Sequence, residues 1–139
     1  MGKIYNPDNA GKQRNRLCRE VLFSLRELMR QSEPDDMSKD LAAFIAQALV
    51  AIFQTVDVSV TAWEKRGYWV KADRFRLEWE WADVVGKRMC EAVVNGDWAL
   101  IAELGVQTAQ KMRQIKLPKK PRIGTPWVGA MRKLKESGD

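Results

Sequence analysis

The chain has 139 residues, 45% of them hydrophobic, with six Trp and a net charge of +6, enough apolar material for one domain with a buried core and too much for a disordered tail. It has no histidine, which excludes Ser-His-Asp and Cys-His nucleophile systems, imidazole metal sites and the Glu-x-x-His di-iron pattern. Its two cysteines, Cys18 and Cys90, are too few for a zinc or iron–sulfur site within one chain, and neither a Walker A motif nor Gly-x-Gly-x-x-Gly occurs.

The opening, Met1-Gly2-Lys3-Ile4-Tyr5-Asn6-Pro7, has no apolar core and no small-residue cleavage site, so no secretory leader is expected. Asn6 stands where an acylation signal wants Ser or Thr, which argues against myristoylation at Gly2. Both cysteines fall in apolar helical patterns and read as reduced core residues, so the expected location is cytoplasmic.

A first helix is predicted from Pro7 to about Gln31, with Asn6 as N-cap and Pro34 beyond its end. Leu17, Val21, Leu25 and Leu28 fall on one side, flanked by Cys18, Leu22 and Met29. Lys12, Arg16, Arg19, Arg26 and Arg30 fall on the other, with Phe23 outward among them. This row spans about 27 Å of helix and matches the spacing of a phosphate backbone, with an aromatic to stack on an unpaired base. Its edge also allows Arg16–Glu20 and Glu27–Arg30 pairs, the pattern of an ordinary solvated face.

A second helix follows Pro34, capped by Ser38 or Asp36, and runs to about Arg66, ended by Gly67. Its apolar stretch Leu41 to Trp63 is interrupted by Gln47, Gln54 and Asp57. A mid-bilayer Asp costs about 2.5–3.5 kcal/mol on the mildest scale, so a central core helix is expected and no membrane partner. Residues 55–61 alternate like a strand, yet Gln47, Gln54, Thr61 and Lys65 form one polar stripe only if a single helix continues through them.

A third helix is expected from Val70 to Val94, with Phe75, Trp79, Ala82, Gly86, Met89, Cys90 and Val93 inward. Gly86 would let a neighbouring helix approach closely. Leu77, Trp81 and Val84 fall away from that face. Trp79 and Trp81, two residues apart, are not expected to share one seam, which makes Leu77, Trp81 and Val84 a candidate contact with a protein partner or a second subunit. Glu80 and Asp83 share a helix face and suit a shared Mg²⁺ in a nucleotide phosphohydrolase. A second acidic pair is lacking upstream, because Glu27 is followed by Arg30 and Glu64 by Gly67. Arg76 and Lys87 are placed to neutralise the pair as surface ions.

Asn95-Gly96-Asp97 stops one helix and caps the next, predicted from Trp98 to about Ile115 with Ile101, Leu104, Thr108 and Met112 inward. Pro118, Pro121, Gly124 and Pro126 then impose an extended segment, followed by a short helix near Val128 to Lys135. Residues 1–103 hold 15 Lys/Arg against 16 Asp/Glu, whereas 104–135 hold nine Lys/Arg and no acid. In this tail Lys116, Lys119, Lys120 and Arg122 surround prolines, and Arg132 and Lys133 follow Trp127, which reads as a docking side chain. Such interleaving of cations with an aromatic suits RNA or single-stranded DNA.

These readings describe an all-α, single-domain helical bundle of about four helices (1–115) plus a basic, Pro-containing C-terminal strap (116–139) packed on or extending from it. The expected function is a non-enzymatic accessory subunit that binds RNA or DNA through phosphate contacts, with no cofactor. The alternatives are a protein–protein or oligomerisation module and the Mg²⁺-dependent phosphohydrolase.

Overall fold

A computed structural model describes residues 6–137. The expectations of no secretory leader and no acylation at Gly2 concern residues outside these. Among the described residues the chain forms five helices and no strand: α1 (Ala10–Met29), α2 (Asp36–Lys65), α3 (Trp69–Asn95), α4 (Trp98–Lys111) and α5 (Ala130–Ser137).

α1 starts later than its capping signal suggests. Asn6 holds a preceding turn, accepting from the backbone N–H of Asn9 with its side chain and from that of Ala10 with its carbonyl. The helix N-cap is Asn9, whose side chain makes no capping bond. The apolar side falls as its periodicity requires, with Leu17, Cys18, Val21 and Leu25 buried. Met29, expected to flank the core, is 83% exposed because α1 ends there and the chain turns away.

α2 is capped by Asp35, not by Ser38 or Asp36. The Asp35 carboxylate accepts from the Ser38 backbone N–H and from its hydroxyl, each at 2.8 Å. Those two hydrogen bonds, the backbone one first, hold the Asp35 carboxyl below its ordinary range. Residues 55–61 are helical throughout, within a 30-residue helix that is long and apolar enough to cross a membrane. In the fold it is the central helix, packed against α1, α3 and α5. Leu41, Ile45, Leu49, Ile52 and Val56 are fully buried, each contributing about 1.5–3 kcal/mol by leaving water. Gln54, Asp57, Thr61 and Lys65 form the exposed polar stripe.

α3 meets α2 at Gly86. A Cβ there would stand 2.9 Å from Val50 Cγ2 and 3.0 Å from the Ala46 carbonyl, so the two backbones pass at a distance only glycine permits. α3 ends at Gly96, which adopts φ +67° and turns the chain so that Asp97 caps α4 through the Leu100 N–H. α4 closes at Lys111, a turn earlier than expected. Met112 is still buried and Ile115 packs against the core from a turn.

The C-terminal segment does not trail away. It passes over α1, seats Trp127 at 5% exposure, and lays α5 on α2. Asp40 of α2 accepts from the backbone N–H groups of Gly129 and Met131, and Gln47 donates to the Ala130 carbonyl. A carboxylate at the start of a helix satisfies donors that the helix itself leaves free.

Candidate nucleic-acid interface

The outer face of α1 and the strap are brought together by two contacts. The Arg26 guanidinium donates to the carbonyl oxygens of Pro118 and Lys119, at 3.2 and 3.1 Å. The Phe23 ring lies 5.7 Å from that of Trp127. Phe23, expected to face outward, has its ring half-buried against Trp127, and an aromatic pair of this kind stabilises by about 0.5–1.5 kcal/mol beyond area burial. Phe23 and Arg26 fasten the strap to α1, which puts Lys119 next to Arg26 at the C-terminal end of the row.

The remaining cations divide by their partners. Arg16 is held by Glu20 at 3.0 Å and by Gln13, and Arg30 by Glu27 at 2.9 Å, so both helix-edge pairs form. Such exposed pairs contribute only about 0–1 kcal/mol, and Arg16 and Arg30 keep outward donors. Lys12 and Arg19 on α1, Lys116, Lys119, Lys120 and Arg122 on the strap, and Arg132 and Lys133 on α5 are exposed and form no ion pair among the described residues.

Arg14 escapes the sequence-derived row. It points inward, donating to the hydroxyls of Thr55 and Ser59 on α2, with its guanidinium carbon 4.7 Å from the centre of the Phe75 ring. Burial pulls its pKa below the ordinary arginine value, and the neighbouring Cys18 opposes that shift. The signal was available, since Arg14 stands four residues before Cys18 and seven before Val21, on the inward face. Burial also pushes the Cys18 thiol up to about 11, against the pull of Arg14 and Arg19.

The carboxylates of α3 are dispersed. Asp83 pairs with Lys87 at 2.9 Å, Glu80 is exposed, and Arg76 turns instead to Glu64 at 3.7 Å. Among the described residues no three acidic or cysteine side chains converge on a point that would hold a metal ion.

Two apolar features complete the surface. Trp79 and Trp81 stack on each other with centroids 6.2 Å apart and both pack against the core, because indole rings are long enough to reach round the helix. Leu77 and Val84 stay exposed beside them. A groove of about 660 Å³ runs between the end of α1 and α4, walled by Leu25, Leu28, Met29, Trp98, Val106 and Ala109. The sequence gives no sign of it, since its walls come from segments some seventy residues apart in the chain. No family model, curated protein or solved structure matches the chain.

Proposed function

We propose that the protein is a non-enzymatic basic helical module that binds RNA or DNA through phosphate contacts, as an accessory subunit of a larger assembly. The observation that carries this reading is the attachment of the acid-free segment to α1 by Arg26, which joins Lys119 to the C-terminal end of the α1 cation row. Cations without acidic neighbours release condensed counterions when they meet phosphates, and that release drives affinity without sequence readout. The covered Phe23 leaves little base stacking on this face, so RNA and DNA of mixed sequence are bound alike.

Fluorescence anisotropy of the nucleic-acid-free protein with labelled RNA and DNA of mixed sequence tests the reading. Binding is expected at ~50 mM salt, weakening linearly in log–log form as salt rises. No detectable binding at that salt, where polyanion contacts are strongest, removes the proposal.

A further inference from the structure

α3 carries a second apolar line on the face turned away from α2. Val70, Leu77 and Val84 recur every seven residues and are 67%, 67% and 56% exposed. A seven-residue repeat keeps side chains on one side of a helix, the arrangement by which helices of separate chains pack along a seam. Trp81 flanks the line from its stack with Trp79.

The charges of this helix divide at Leu77. On the N-terminal side stand Lys71, Arg74 and Arg76, with Asp73 the one acid. On the C-terminal side stand Glu78, Glu80 and Asp83, with no cation before Lys87. Two copies laid antiparallel across Leu77 bring the basic half of each α3 against the acidic half of the other, twice by symmetry. A parallel alignment sets acid against acid. Arg74, Glu78 and Glu80 are exposed and form no ion pair among the described residues, so they are uncommitted within the chain.

We propose that a second copy of this chain docks on the α3 face in antiparallel orientation, with Leu77 at the two-fold axis facing its own counterpart and Val70 of each copy facing Val84 of the other. The surface is separate from the strap and α1, so dimerisation and nucleic-acid binding succeed or fail independently.

Sedimentation equilibrium on the full chain, freed of nucleic acid, provides the test. The expected species has twice the 16.0 kDa chain mass. Leu77→Glu weakens association roughly tenfold or more, as expected for a central contact residue. Arg74→Glu weakens it, and adding Glu78→Arg restores it. These positions are exposed, and an unchanged helical circular-dichroism spectrum shows that folding is intact. In a Cys90→Ser background, Leu77→Cys forms an intermolecular disulfide with itself, and Val70→Cys bridges to Val84→Cys on a second chain. A single-chain mass at every concentration overturns the proposal, as does a dimer indifferent to Leu77→Glu, or Val70→Cys bridging to itself.

Discussion

The two sides of α3 are both apolar and behave in opposite ways. On the side facing α2, Ala82, Gly86 and Met89 are buried, and the backbones pass so closely that Gly86 has no room for a methyl group. On the far side Val70, Leu77 and Val84 touch little and stand mostly in water. Hydrophobic character alone does not make a core. What separates the sides is cover: Gly86 lets α2 come close enough to exclude water from one side, including the large Met89, whereas no described element closes over the Val70–Leu77–Val84 line.

Four expected outcomes sharpen this contrast. The largest is Met89→Ala on the inner side, which leaves a cavity in the main cluster and lowers stability by about 3 kcal/mol in urea unfolding. Next is Gly86→Ala, which forces Val50 and the Ala46 carbonyl to move and costs about 2 kcal/mol by the same measurement. The third is a pH effect in the core. Folding favours the protonated Cys18 thiol, whose pKa rises from 9.0 to about 11. Its contribution is therefore complete below pH 9.0 and is lost between there and about 11. Chemical denaturation should show wild type losing on the order of 1–2 kcal/mol more than Cys18→Ala across that window. The smallest is Leu77→Ala on the outer side, which should change the stability of the isolated chain by less than about 0.5 kcal/mol. A loss as large as that of Met89→Ala would mean that Leu77 is packed within its own chain.

Much of this fold is legible from periodicity, because every helix between residues 10 and 111 turns an apolar face to the core. Gly86 announces a close crossing, Asp97 a cap, and Trp127 a docking side chain. The misreadings share a cause. Asp35, Asp36 and Ser38 all have capping chemistry, and the direction of the incoming chain decides among them. Phe23 reads as outward because its cover, Trp127, lies far along the chain and reaches it only through tertiary packing. Arg76 prefers Glu64 on the adjacent helix to the carboxylates of its own. Local pattern sets which way a side chain faces, and partners distant in sequence set whether it meets water.

The strap and α3 offer the same contrast in charge. Arg74 and Arg88 are exposed cations beside acidic residues, whereas Lys116, Lys119 and Lys120 have no acid near them in sequence. The decisive measurement is the salt dependence of RNA binding for wild type, for Lys116→Ala/Lys119→Ala/Lys120→Ala, and for Arg88→Ala. The strap variant should lose about one unit of log–log slope for each phosphate contact removed, and the α3 variant should keep the wild-type slope. Equal losses in both, or none in the strap variant, would contradict a polyanion-binding surface built on the strap.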